Sequence, residues 1–326
     1  KFLIIFSIII GVVVGTLNKI PLLNNTSFQD IATYLEMWVI LALCSALLLG
    51  FYDICKKRSL TGNSIIGVLT LSVSVSAVLL LPLLLFGKVP ATDLHGHMMI
   101  AIKSMIVLSS WLCAYVAVKH LPLSIVSPMQ ASRPMWTLLG ALVIFHEMLN
   151  GWQWAGIACA LGSVFFFSFT LKHEQKTQSK NGKYYIFLIL AILIGSCSGL
   201  YDKYIMRQYD HLTVQVYYNI YQSIMMIAVL ILYRLREQAK GKRTKMEFRW
   251  EILGISVLLT LSDYVYLLAL QDPDSLIAVV STIRRGGTVI PFLYGIIILH
   301  EKQVRAKILC LCGILIGLVL LLIGSL

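Results

Sequence analysis

The stretch PLSIVSPMQASRPMWTLLGALVIFHE, residues 122–147, recurs in outline as PDSLIAVVSTIRRGGTVIPFLYGIIILHE, residues 273–301. Each is a mostly apolar run long enough to cross the hydrocarbon core as a helix, which takes about 20 residues. Pro122 and Ser124 return as Pro273 and Ser275, 151 positions on, and His146-Glu147 returns as His300-Glu301, 154 on. Upstream, Gly50-Phe51-Tyr52-Asp53 with Arg58 returns as Gly199-Leu200-Tyr201-Asp202 with Arg207, 149 on. The chain therefore repeats itself with a period near 150 residues, and the drift places a few extra residues early in the later copy.

Outward from that pair, ten spans are legible, near 36–53, 63–86, 97–118, 122–146, 151–171, 184–205, 211–233, 250–270, 275–299 and 306–325. They are called spans 1 to 10. Residues 36–172 form a first five-helix repeat, 173–183 a basic linker and 184–326 a second repeat. An odd number of spans forces the two units into opposite orientations, so the fold expected is an all-α polytopic membrane protein of two inverted repeats. Inverted repeats put a substrate site at their interface, near the midplane.

Composition agrees. Of 326 residues, 58% are hydrophobic and 13% charged, with mean hydropathy +0.84. A soluble globular chain has about 45–50% apolar and about 25% charged residues, so a soluble enzyme, a nucleic-acid module and a disordered protein are excluded. The net charge of +12 has a topological reading instead. Loops after spans 1, 3, 5, 7 and 9 carry eighteen Lys and Arg, the alternate loops only three. Lys and Arg accumulate on the cytoplasmic side, which puts the odd loops there. Residues 2–17 are apolar over sixteen positions and read as an extra N-terminal span, with 1–35 comprising it and a connector. The C-terminus is then expected outside.

Two five-span units, each ending its fourth span in an acidic residue (Glu147, Glu301) before a short turn, resemble the drug/metabolite transporter superfamily, EamA type. The resemblance covers roughly 36–325. It implies ten helices around a central cavity lined mainly by spans 3, 4, 8 and 9. The N-terminal segment and the expected orientation depart from the usual ten-span pattern.

Ionisable residues at membrane depth are rare and costly, and each marks a functional hypothesis. Arg133 lies 11 residues into span 4, and Arg284 and Arg285 lie 9 and 10 residues into span 9. The repeat relates those spans, so the three arginines can converge on one cavity. Asp263 is the clear carboxylate at similar depth. One negative charge does not offset three positives, and a bound anion would supply the remainder. Arginine's planar fork suits phosphate and carboxylate. One of Arg284 and Arg285 is expected to pair with Asp263, the other to face substrate. Gly286-Gly287 and Pro291 would let span 9 bend or unwind there. Arg284-Arg285 also resembles an adjacent basic pair that contacts phosphate in plastid phosphate translocators of the same superfamily. The bland alternative has the arginines bonded to backbone carbonyls, holding helices together.

On span 7, Gln215, Asn219 and Gln222 fall at i, i+4 and i+7 with Tyr218 beside them, one helical face. That face belongs against protein or a wet cavity, either reading a ligand or bonding helices together. Trp111 and Tyr115 on span 3 and Tyr264 and Tyr266 on span 8 are candidates for lining the cavity or for packing. Asp53 beside Lys56, Asp202 beside Lys203, and Lys103 read as interfacial charge or gating pairs. His146-Glu147 and His300-Glu301 read as interfacial anchors. Gly195-x-x-x-Gly199 is a close-packing motif, and the basic loop 234–249 suits anionic headgroups. The seven cysteines read as small buried hydrophobes with no metal-ligand spacing. With no nucleotide-binding, hydrolase or metalloprotease motif, no enzyme activity and no cofactor is expected.

The function expected is secondary transport of a small organic anion, phosphorylated or carboxylated. The central arginines hold the anion, the span 7 stripe reads the rest, and two repeats rock around the site. Coupling would be counter-anion exchange or proton symport, with Asp263 as the proton carrier. Membrane lipids are the other expected partner, and the oligomeric state stays open. Three other readings remain: a carrier of neutral or zwitterionic metabolites such as amino acids, a flippase of an anionic lipid-linked sugar, and a receptor or scaffold without transport.

Overall fold

The structure, a computed structural model, describes residues 37–87, 89–145, 150–175, 182–205, 208–239, 247–271, 277–301 and 304–325. The proposed N-terminal span, His146-Glu147 and the Pro273-x-Ser275 turn lie outside these residues. Twelve described helices follow one another: α1 Met37–Ser59, α2 Ile65–Leu85, α3 Leu94–His120, α4 Leu123–Ala131, α5 Arg133–Phe145, α6 Gly151–Gln175, α7 Gly182–Ile205, α8 His211–Ala239, α9 Trp250–Gln271, α10 Ile277–Gly286, α11 Val289–Ile297 and α12 Val304–Ser325. Five of them (in α1, α2, α3, α7 and α8) are long and apolar enough to cross a membrane.

Helix starts follow local chemistry. Ser64 and Asp93 cap α2 and α3, accepting from the Gly67 and Gly96 amides at 3.1 and 2.9 Å. Asp210 does the same at α8, accepting from Leu212 N at 2.9 Å. A side-chain oxygen there satisfies one of the amides that a helix leaves without an internal partner.

Spans 4 and 9 are not continuous helices. Span 4 divides into α4 and α5 at Ser132, and span 9 into α10 and α11 at Gly287-Thr288. Tight i to i−3 bonds mark both breaks: Ser132 N to Met129 O at 3.2 Å, and Thr288 N to Arg285 O at 3.1 Å. Pro134 and Pro291 follow the breaks, and neither has an amide hydrogen to continue the ladder. Gly286, Gly287 and Pro291 announce the second break. The first, in a stretch without glycine, corrects the expectation of an unbroken span 4.

Packing follows the repeat. Span 1 (α1) lies on span 8 (α9), and its repeat mate span 6 (α7) lies on span 3 (α3). Spans 2 and 7 (α2, α8) pair with each other, as do spans 5 and 10 (α6, α12). In lipid, helix association rests on close packing and interhelical bonds. Ser45 and Ser262 join α1 to α9 reciprocally, each hydroxyl donating to the other's carbonyl at 2.8 and 2.9 Å. Small residues Ala42, Ala46 and Gly50 on α1 return as Ala191, Gly195 and Gly199 on α7, and each stripe takes one helix break. A Cβ on Gly287 would stand 2.1 Å from Ala46 O, and one on Gly195 would stand 2.7 Å from Arg133 Cζ. Three of the cysteines, Cys44, Cys197 and Cys312, are exposed, which corrects their reading as uniformly buried.

A cationic site at two helix breaks

Arg133 opens α5, directly after the first break, and its guanidinium lies across Gly195 of α7. It donates to Ala191 O at 3.1 Å and approaches Ser110 Oγ of α3 at 3.5 Å. Its Nε is buried with no partner. Arg284, in the last turn of α10, pairs with Asp263 of α9. It also approaches Ser262 Oγ at 3.4 Å and lies over the Tyr266 ring, Cζ 4.3 Å from the centroid. Its Nε too is buried without a partner. Arg285 is half-buried, and its side chain makes no hydrogen bond or ion pair among the described residues. Arg133, Arg284, Tyr266 and Asp53 all stand within electrostatic reach of it.

The helix break explains this placement. Each interruption carries a basic residue at the end or start of a half-helix and lies against a small-residue stripe, which admits the Arg133 guanidinium at the first break and the Gly287 main chain at the second. Discontinuous helices of this kind free backbone groups toward a cavity at the repeat interface.

The α8 stripe looks into the same interior. Gln215, Tyr218, Asn219 and Gln222 are 5, 7, 7 and 0% exposed. Asn219 donates back to Gln215 O at 2.8 Å. Both polar atoms of the Gln215 carboxamide are buried with no hydrogen bond. Gln222 forms none of good geometry, although the Tyr218 phenol stands close to it. Tyr218 lies within reach of Asp263 and Asp202 and meets Trp111 edge-on at 6.4 Å. Tyr115 is fully buried in the main core, with Lys56 Nζ 5.6 Å above its ring. Tyr264 is 39% exposed and is turned away from this interior.

Several charges sit deeper than interfacial ones. Lys56 is 3% exposed, pairs with Asp53 and lies over Tyr52 at 4.5 Å. Asp202 pairs with Lys103 of α3 at 2.9 Å, and Lys103 lies over Tyr218 at 5.2 Å. The repeat-related Asp53 and Asp202 thus each hold a buried lysine. The Asp202 side chain is itself 43% exposed, whereas that of Asp53 is 18% exposed.

Glu301 caps a helix. Its carboxylate accepts from Leu123 N at 2.7 Å, Ser124 N at 3.0 Å and Ser124 Oγ, capping α4, with Lys307 Nζ at 3.4 Å. A helix N-terminus favours a carboxylate. His300, at φ +48, turns the chain so that Glu301 can reach it. Lys57 caps the preceding corner, donating to Val118 O and Leu121 O at 2.6 and 2.7 Å. Sequence reasoning found Ser124 and Glu301 as separate repeat markers without joining them. It missed Ser110 and Ser262, whose only signal was a serine beside each site aromatic or acid.

Helices this long and apolar, paired across the two repeats, make this a multi-pass integral membrane protein. Residues 36–169 match the EamA-like transporter family, of the drug/metabolite transporter superfamily. A solved crystal structure with 13% identity shares the fold at TM-score 0.58, over 87% of this chain and 95% of that chain. No curated protein matches the chain.

Proposed function

We propose that this protein is a secondary transporter of a small organic anion, phosphorylated or carboxylated, which binds at Arg285 between Arg133 and Arg284. The observation that carries the reading is the Arg285 guanidinium, held inside the helix bundle with no partner among the described residues and with two further arginines in reach. An unpaired cation in a low-dielectric interior is costly, and an anionic ligand offsets that cost. Arg284 is already neutralised by Asp263, so it positions Arg285 and reads the ligand's edge. The α8 amides, with Gln215 unsatisfied, suit hydroxyl or carbonyl groups on the rest of the substrate. Rocking of the two repeats about the broken spans exposes the site alternately to either side.

The test is uptake into liposomes together with ligand-dependent melting of the purified protein, using panels of organic phosphates, carboxylates and amino acids. A ligand at 100 times its Kd stabilises by about 2.7 kcal/mol. Stabilisation and uptake of an anion that vanish in Arg285→Gln support the proposal. Response to amino acids alone, or an anion response unchanged in that variant, overturns it.

A further inference from the structure

A second recess lies away from the arginines. It is a crevice of about 500 Å³ between the start of α2, the end of α3, the start of α7 and the end of α8, within the ~300–1,000 Å³ of ordinary ligand sites. Its deep wall is apolar, built from Ile65, Ile66, Leu112, Val116 and Phe187. Its rim is polar and carries Asn63, Ser64 and Lys119. Lys119 Nζ donates to Asn63 O at 2.6 Å, which leaves further ammonium hydrogens to point outward.

The rim is also basic. Lys57, Lys119 and Lys183 all lie within electrostatic reach of His120, whose ring stacks on Tyr184 at 4.0 Å. Two acidic residues stand nearby: Glu237, engaged by Tyr233 Oη at 2.9 Å and by Arg234, and Glu247, whose main chain bonds Asn63 and whose carboxylate pairs with Arg249 at 3.6 Å. Beside the crevice the helices expose Ile186 and Leu190 of α7 and Ile231 and Leu235 of α8. In a bilayer protein these side chains face acyl chains, so the crevice opens sideways into lipid.

We infer that this crevice binds one anionic diacyl phospholipid, with an acyl chain along Val116 and Phe187 and the phosphate at Lys119 and Lys183. Apolar depth below a cationic rim matches the order of groups in such a lipid. The charge count that places this end on the cytoplasmic side also places it in the leaflet where anionic lipids concentrate. The site holds the α2–α8 pair against the α3–α7 pair, and it does not depend on the transported substrate.

The experiment compares protein in nanodiscs of phosphatidylcholine alone with protein in nanodiscs containing phosphatidylglycerol. Melting is measured in the discs, and bound lipid is counted by native mass spectrometry after transfer to detergent. One retained phosphatidylglycerol and a higher melting temperature in its presence are expected. Lys119→Gln lowers retention severalfold, and Val116→Trp, which fills the crevice, abolishes it. Cys113→Phe fills the same wall and serves if Val116→Trp does not fold. Glycerol 3-phosphate, a headgroup without chains, competes for nothing at this site. Equal retention of both lipids, retention unchanged in the filled variants, or displacement by glycerol 3-phosphate overturns the inference.

Discussion

Arg133 and Arg284 stand in the same place in the two halves of the molecule, yet among the described residues only Arg284 forms an ion pair with an acid. They are 151 positions apart, each beside a helix break. Each reaches a serine on the neighbouring helix, Ser110 at 3.5 Å and Ser262 at 3.4 Å. After Ser262 comes Asp263, which takes the ion pair, whereas Trp111 follows Ser110. The pseudo-symmetry is broken at two positions, Asp263 against Trp111 and Arg285 against Pro134, and Arg285 is the added cation.

Among the described residues the Arg285 side chain has no hydrogen bond or ion pair to lose, and it has a desolvation cost to shed. Arg285→Met is expected to raise ligand-free stability by roughly 1–3 kcal/mol, a trade of function for stability. Melting without ligand reads it. A large loss of stability would mean that Arg285 holds the fold together.

Asp263→Asn strands Arg284 in the interior. Removing one member of a buried pair costs about 3–5 kcal/mol, whereas replacing both by apolar groups is far milder. Asp263→Asn should therefore melt well below Asp263→Leu/Arg284→Met. Equal melting of the two would show that water already screens the pair.

The cap on α4 gives a pair of opposite effects. Glu301→Ala removes three accepted bonds and should cost about 1–2 kcal/mol. His300, exposed and left-handed, becomes more comfortable as glycine, and His300→Gly should stabilise by about 1 kcal/mol. Thermal melts of both variants check the contrast, and destabilisation by His300→Gly would contradict it.

Two glycines of similar context should behave differently. A Cβ on Gly287 collides with the Ala46 backbone at 2.1 Å, while one on Gly199 meets Thr137 at 3.6 Å. Gly287→Ala must shift α1 from the break and is expected to cost about 1–3 kcal/mol or more. Gly199→Ala gains up to about 1 kcal/mol of helix propensity. Expression and melting of the pair decide it.

Asp93 makes the start of α3 acid-sensitive. Its bond from Gly96 N, with a further one from Tyr209, holds its carboxyl below the usual 3.8. A lowered folded value contributes stability that is complete above 3.8 and lost as pH falls through the folded value. Asp93→Ser keeps a cap without a titrating group, so its melting temperature should vary less with pH on the acid side. An identical acid limb in both proteins would place the titration elsewhere.

The ten spans, the duplication and the three arginines inside apolar runs were legible in the sequence, because bilayer thickness sets span length and an ionisable residue stands out among apolar neighbours. The Gly-Gly and proline in span 9 announced its break by backbone chemistry alone. Three-dimensional packing decided the rest. It broke span 4 against the small-residue stripe of α7, gave Asp263 to Arg284 and not to Arg285, and paired Asp202 with Lys103 across two helices. It also brought Glu301 to the α4 amides from 177 positions away. Period and hydropathy are properties of neighbours in the chain. A buried charge's partner is set by which helices meet, and a single chain position carries no record of that.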